Sequence, residues 1–304
     1  MIQQTYNSIP FMKLKWLYFA ISLLIILPGT YFLIRYGLKL SIDFTGGSLL
    51  EIRTASPSAQ TVFKDTAKAQ NLELSQIQTS SDNIYLLRFK PMSLEQNDVY
   101  KNTLKKSLSD SQELRYETVG PVVGAELARN SILAVIIASL AIIGYIAWSF
   151  REVPKVYSSW KFGASAVIAL LHDALLLLGV FSLFGHYYGT EVDVLFVTAI
   201  LTVIGFSVHD TIVVFDRIRE NLPKMQKSTF EEVVNYSLTE TLVRSLNTSL
   251  TVTLTLTSLL LFGGDSTRWF VTALLIGIIS GTYSSIFNAA PILVIWERVK
   301  IKKG

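Results

Sequence analysis

The sequence predicts an α-helical polytopic membrane protein, with six transmembrane helices and a small α+β extracytoplasmic domain between spans 1 and 2. Three observations carry that expectation. The 304-residue chain is 50% hydrophobic and only 16% charged, whereas soluble domains carry about 25% charged residues. Six apolar stretches reach the roughly 17–25 residues that a helix needs to cross a bilayer. One polar segment, 38–129, separates the first stretch from the second and alternates strand and helix patterns.

The six stretches run Trp16–Ile34, Ser131–Phe150, Phe162–Phe184, Val194–Phe215, Ser245–Phe262 and Trp269–Trp296. Aromatics such as Trp16, Tyr36, Trp148, Trp160, Trp269 and Trp296 mark their ends, as expected at a lipid–water boundary. Lys13 and Lys15 precede the first stretch, as in a signal peptide. Its apolar run nevertheless exceeds the roughly 7–15 residues of a signal core, so an uncleaved anchor is expected.

Basic residues in short loops set the orientation. They are Lys13 and Lys15 before span 1, Arg151 and Lys155 after span 2, and Arg217, Arg219, Lys224 and Lys227 after span 4. Arg298, Lys300, Lys302 and Lys303 follow span 6, while the loop 185–193 has neither Lys nor Arg. Both termini are therefore expected in the cytoplasm and the long polar segment outside. The expected division is a cytoplasmic N-terminus with the first span (1–37), the outer domain (38–129), and five further spans (130–304).

Within the outer segment, a strand over Ser48–Arg53 leads to Ser56-Pro57, which reads as a helix cap with proline at the first helical position. That helix runs to about Gln70 and is followed by strands Leu74–Thr79 and Asn83–Phe89. Ser93 and Gln96 have the spacing of a capping box ahead of a second helix, to about Leu108. A last strand covers Glu113–Val119. The order βαββαβ is that of a ferredoxin-like split unit.

Composition also excludes. Without cysteine there is no disulfide framework and no thiolate metal site. No Walker-type G-x-x-x-x-G-K-[ST] occurs, so ATP bound in that way is not the fuel. The net charge of +4 belongs to the loop lysines and arginines, and no nucleic-acid partner is expected. No cofactor, metal or enzymatic reaction is expected either.

Polar residues inside the spans are the functional candidates, because a carboxylate near mid-membrane costs about 2.5–3.5 kcal/mol on insertion scales. Asp210 is foremost. It lies in span 4, six residues before Asp216, hence about 9 Å below the cytoplasmic boundary at a rise of 1.5 Å per residue. Arg244 opens span 5 on that side, and its long stem allows two arrangements, a pair with Asp210 or a reach to lipid phosphates. His209 points about 100° away from Asp210 on a helix and ranks below it. His172 and Asp173 in span 3 read either as ion-path residues or as packing polars. Thr251, Thr253, Thr255 and Thr257 in span 5 suit interhelical hydrogen bonds or a wet path.

Ala273, Gly277, Gly281 and Ser285 form a four-residue ladder in span 6 that allows close backbone approach, within this bundle or against a partner subunit. Asp43-Phe44-Thr45-Gly46-Gly47 and Val119-Gly120-Pro121 flank the outer domain. Their glycines permit tight junction turns or hinges.

Six segments in order carry a family resemblance: I-D-F-T-G-G, V-G-P-V-V-G-A-E-L (Val119–Leu127), L-L-H-D-A-L, I-G-F-S-V-H-D-T-I-V-V-F-D-R-I-R-E-N, S-L-T-E-T-L-V-R-S-L-N-T-S (Ser237–Ser249) and L-F-G-G. Together they resemble the SecD/SecF family of membrane subunits that assist the Sec protein translocase. Nearly the whole chain is covered, in the manner of the smaller subunit. The chain departs at His209, where relatives often carry asparagine.

The resemblance implies a membrane fold of the resistance-nodulation-division type, in which two six-span halves pair. A SecD partner would supply the other half. It also implies the SecY/SecE/SecG channel, a YidC-like insertase, unfolded preprotein and membrane lipid as partners, in a bacterial inner membrane. The implied activity is proton- or sodium-driven assistance to protein export. Asp210 would be the intramembrane carboxylate on the ion path and Arg244 its basic counterpart. Asp173 is a further ion-coupling candidate, with His172, His209, Asp216 and Arg217 as secondary ones. Two other readings are half of a lipid or small-molecule exporter on the same scaffold, and a passive translocase scaffold.

Overall fold

The computed structural model describes residues 8–79, 83–151, 159–264 and 267–301. Lys155, Lys302 and Lys303 of the basic loops lie outside them. The chain divides into an α+β unit, Lys39–Leu133 with Glu191–Val194, and a helical unit made by the rest.

The α+β unit opens with a short helix α2 (Ile42–Thr45), after the first span helix α1 (Lys15–Tyr36). It continues through β1 (Gly47–Arg53), α3 (Ala59–Ala69), β2 (Leu74–Thr79), β3 (Ile84–Phe89), α4 (Leu94–Ser107) and β4 (Gln112–Val119). The strands form one antiparallel sheet in the order β2-β3-β1-β4. That is the ferredoxin-like arrangement expected from the βαββαβ order. Leu50, Ile52 and Leu87 of the sheet pack with Phe63 of α3 and with Tyr100 and Leu104 of α4 in the core. The Tyr100 hydroxyl donates to the Phe63 carbonyl at 3.0 Å, which satisfies its polar tip inside that core.

Local signals explain the element starts. Ser93 accepts from the Gln96 N–H at 3.2 Å, and the Gln96 side chain accepts from the Ser93 N–H at 2.8 Å. The expected capping box is thus made. Ser56 does not cap α3. Its carbonyl accepts from the Ala59 N–H and its hydroxyl meets that of Ser58. The chain therefore makes one more turn, and the helix begins at Ala59.

The helical unit holds the span helices. After α1 come α5 (Pro121–Ser149), α6 (Ser159–Tyr188), α7 (Val194–Asn221), α8 (Phe230–Phe262) and α9 (Arg268–Ser284). α9 passes through a π turn (Ser285–Ala289) into α10 (Ala290–Ile301). Counting α9 to α10 as one, six helices among the described residues are long and apolar enough to cross a membrane. Several outrun their apolar stretches. α8 begins at Phe230, well before Ser245, because Thr229 and Glu232 form a capping box there.

Small residues set the helix spacing, as in membrane bundles generally. A Cβ on Gly29 would lie 3.0 Å from the Gly179 Cα, and one on Gly179 would lie 2.8 Å from the Gly29 Cα. α1 and α6 therefore touch backbone to backbone. Gly277 lies against Val203, and a Cβ on Gly281 would stand 3.0 Å from the Ser207 Cβ. The ladder thus packs α9 on α7 inside this chain. The partner-docking alternative does not hold for these two glycines, since α7 already occupies their face.

Candidate ion-coupling site

Asp173 projects from α6 between α7 and α9 and is wholly buried. Its Oδ2 accepts from Ser207 of α7 at 2.5 Å and from Ser284 of α9 at 2.5 Å. Its Oδ1 accepts from Ser280 at 2.8 Å and lies 3.0 Å from His172 Nδ1. Three helices therefore converge on one carboxylate, and both oxygens are occupied. The glycine ladder makes this possible, because Gly281 lets α9 approach Ser207 closely enough for Ser280 and Ser284 to reach across.

The polar lattice continues along α7. The hydroxyls of Thr211 and Ser285 share a hydrogen bond of 2.8 Å, and Ser285 also lies 3.1 Å from the Ser207 carbonyl. Ser285 opens the π turn, a local widening often found at functional sites. Nearby, Ser249 of α8 meets Thr282 of α9 at 2.5 Å.

Asp210 follows Ser207 by one turn of α7 and is 4% exposed. Its surroundings differ from those of Asp173. Its Oδ2 is buried without a hydrogen-bond partner among the described residues. The groups acting on it are Ser245 and Arg244 of α8 and its own neighbour His209.

No ion pair joins Asp210 to Arg244 among the described residues. The cause is angular, since successive helical residues diverge by about 100°. On α8, Ser245 turns inward and is buried, while Arg244 turns outward and is exposed. On α7, Asp210 turns inward and His209 outward. Depth along the membrane normal permits the Asp210–Arg244 pair, and azimuth keeps the two apart.

Arg244 heads an exposed stripe of α8 with Thr248, Thr251, Thr255 and Ser258. These hydroxyls donate to carbonyls four residues earlier. They are thus satisfied by their own helix rather than by a neighbouring one. Thr253 and Thr257, the alternate members of the threonine series, are partly buried.

The remaining charged candidates pair near the ends of α7 and α8. Asp216 binds Arg219 at 2.6 Å. Arg217 binds both Glu240 oxygens, at 2.8 and 2.9 Å, and Glu220 at 2.7 Å. Asn221 donates to Ser237 at 3.0 Å and to Glu240 at 2.8 Å. This network fastens α7 to α8 and does not include Asp210.

In the α+β unit, Asp43 Oδ2 accepts from the N–H of Val194, the first residue of α7, at 3.2 Å. Gly46 and Gly47 have φ of +71° and +126°. A Cβ on Gly46 would stand 2.9 Å from the Pro121 Cα, and one on Gly47 would stand 2.8 Å from the Phe89 carbonyl. Both positive φ and crowding require glycine there, which describes a fixed turn. Gly120 has open space around it. Glu191 pairs with Arg88 and lies 3.8 Å from Lys39. Burial, and then the nearby Arg88 charge, pull the Lys39 ammonium below its ordinary value.

Sequence reasoning found Asp173 and Asp210 but missed Ser207, Ser245, Ser280 and Ser284. The available signal was the density of hydroxyls in apolar helices, above all S-G-T-Y-S-S (Ser280–Ser285).

The family model for "Protein export membrane protein SecD/SecF, C-terminal" matches residues 99–299, and that for the "SecD/SecF GG Motif" matches 31–58. The protein translocase subunit SecF of Thermobaculum terrenum is 45% identical over 302 residues, covering 95% of this chain and 94% of its own. That of Anaerolinea thermophila is 44% identical over 290 residues, covering 93% and 92%. The crystal structure of SecDF from Thermus thermophilus, a translocon-associated membrane protein, superposes with a TM-score of 0.83 at 31% identity. It covers 98% of this chain, which spans only 40% of that longer one.

Proposed function

The chain belongs to the SecD/SecF family of protein export membrane proteins, and from that premise we propose that it couples a monovalent-ion gradient to protein export. It works as an accessory subunit of the Sec translocase in the bacterial cell membrane, with both termini cytoplasmic. A SecD subunit supplies the missing half, which accords with the 40% share of the SecDF chain that this one matches. The SecY/SecE/SecG channel, a YidC-like insertase, lipid and emerging preprotein are its further surroundings.

The observation that carries the reading is the buried, unpartnered oxygen of Asp210 within a span. Intramembrane carboxylates mark ion paths, and this one retains a free acceptor position. One charge crossing the field is worth about 2.3 kcal/mol per 100 mV, and one pH unit adds about 1.36 kcal/mol. Together these suffice to bias an equilibrium of a few kcal/mol between two conformations.

Asp210 is the switching carboxylate in this reading, and Asp173 is the fastener that holds α6, α7 and α9 in register. Arg244, with His209, stands on the exposed face that the SecD subunit covers, so the basic counterpart acts at the subunit boundary. α7 begins within the α+β unit, where Asp43 holds its first residue, Val194. Cation binding at Asp210 shifts α7 against α8, and the outer domain responds through α7 and the Gly120 junction.

The test is ion flux into vesicles holding the co-purified pair with SecD. The parent should conduct on an imposed gradient and Asp210→Asn should not. Equal flux from both would remove the ion-coupling role and leave a passive scaffold.

A further inference from the structure

Asp210 Oδ2 is one of two buried oxygens on α7 and α8 that lack a hydrogen-bond partner among the described residues. The other is Ser245 Oγ, on a residue 2% exposed. The antiparallel register set by Arg217–Glu240 and Asn221–Ser237 brings Ser245 to the level of Asp210, within its electrostatic reach, yet neither atom makes a hydrogen bond of ordinary geometry. Buried polar atoms are nearly always satisfied, and an orphan pair side by side asks for an explanation. Most other hydroxyls on this helix, including Thr248, Ser249, Thr251, Thr255 and Ser258, are bonded. Ser245 is the inward-facing exception.

We propose that Ser245 is the second ligand of the coupling cation, and that Asp210 Oδ2 and Ser245 Oγ together form its seat. This rests on the ion-coupling reading of Asp210 and adds to it the residue that sets how tightly the ion is held. With the seat empty, the Ser245 hydroxyl stands near the carboxylate without a hydrogen bond of ordinary geometry. When a proton arrives on Oδ2, that O–H donates to the Ser245 oxygen. Release breaks this bond, and the serine neither gains nor loses a proton. A sodium ion would take the same two oxygens as ligands, since a carboxylate and a hydroxyl are both hard donors.

The other charged groups close enough to act on the seat are His209 on α7 and Arg244 on α8, both turned outward. Asp173 and His172 of α6 connect to it through Ser207, and on α9 Ser280 and Ser284 are engaged by Asp173. None of these supplies a neutral oxygen to Asp210 Oδ2 among the described residues. The proposal also gives adjacent residues separate tasks: Ser245 turns inward to the ion, and Arg244 turns outward.

The experiment is flux in vesicles containing the intact pair with SecD, measured against external pH and, separately, external Na⁺. Ser245→Ala should move the half-maximal concentration of the coupling cation by about tenfold, the loss expected for one hydrogen bond to a charged group. Ser245→Thr, which keeps the hydroxyl, should restore the parent value. Ser249→Ala, which removes a hydroxyl bonded elsewhere on the same helix, should leave it in place. The cation whose titration moves identifies the ion. A parent-like titration from Ser245→Ala, or an equal shift from Ser249→Ala, overturns the seat while leaving Asp210 as the carrier. Undiminished flux from Asp210→Asn overturns the carrier, and the seat with it.

Discussion

Two aspartates inside the same bundle have opposite surroundings. Asp173 accepts from three serine hydroxyls on two neighbouring helices and also touches His172. Asp210, one turn of α7 away from Ser207, is buried with one oxygen unbonded. A carboxylate whose acceptor sites are filled by protein serves as a joint, because displacing it breaks several charge-assisted hydrogen bonds at once. A carboxylate with a vacant oxygen can take a cation without breaking anything. Burial is thus similar for the two, and satisfaction separates them.

Asp210→Asn should have the largest effect, abolishing gradient-driven flux while the purified pair keeps the parent's melting temperature. Asp173→Asn should do the reverse. It places an amide donor among hydroxyl donors and should cost about 3 kcal/mol or more, read as a lower melting temperature and as weaker protection of α9 in hydrogen exchange. If the two variants exchanged these phenotypes, the assignment of joint and carrier would be inverted.

A Gly277→Ala change probes the packing that lets the joint form. The added Cβ overlaps the stiff Val203 side chain, and overpacking of this kind costs about 1–3 kcal/mol. Thermal denaturation should show that loss, and a compensating Val203→Ala should recover part of it.

The smallest effect lies far from the spans. Asp110 accepts from the Ala55 N–H at 2.8 Å and from the Thr54 hydroxyl at 2.9 Å. These bonds hold its carboxyl below the ordinary value of 3.8. Its contribution to the α+β unit is therefore present above the ordinary carboxylate value and is lost as pH falls through the depressed one. Carboxyl NMR titration should find Asp110 ionising below 3.8, and Thr54→Val should move it upward.

Much of this fold is legible in the sequence, because bilayer thickness fixes span length and capping chemistry is local. The Ser93–Gln96 box and the βαββαβ order both come from short-range patterns. The start of α8 is not found by hydropathy, since its first turns are amphipathic and capped in the cytoplasmic loop. The Ser56 cap fails because a further turn with Ser58 competes with it.

For the site, Asp210 stands out because charge is rare in apolar helices. The serine cage does not, since single serines are common in spans and only the convergence of α6, α7 and α9 makes them a unit. Depth alone allows the Asp210–Arg244 pair. Adding the 100° step between neighbouring residues exchanges Arg244 for Ser245.

Difference infrared spectroscopy of the reconstituted pair, titrated in pH or in Na⁺, reads the carboxyl groups directly. The account predicts one carboxyl signal that responds to the coupling cation, disappears in Asp210→Asn and persists in Asp173→Asn. A signal that persists in Asp210→Asn and disappears in Asp173→Asn would contradict it.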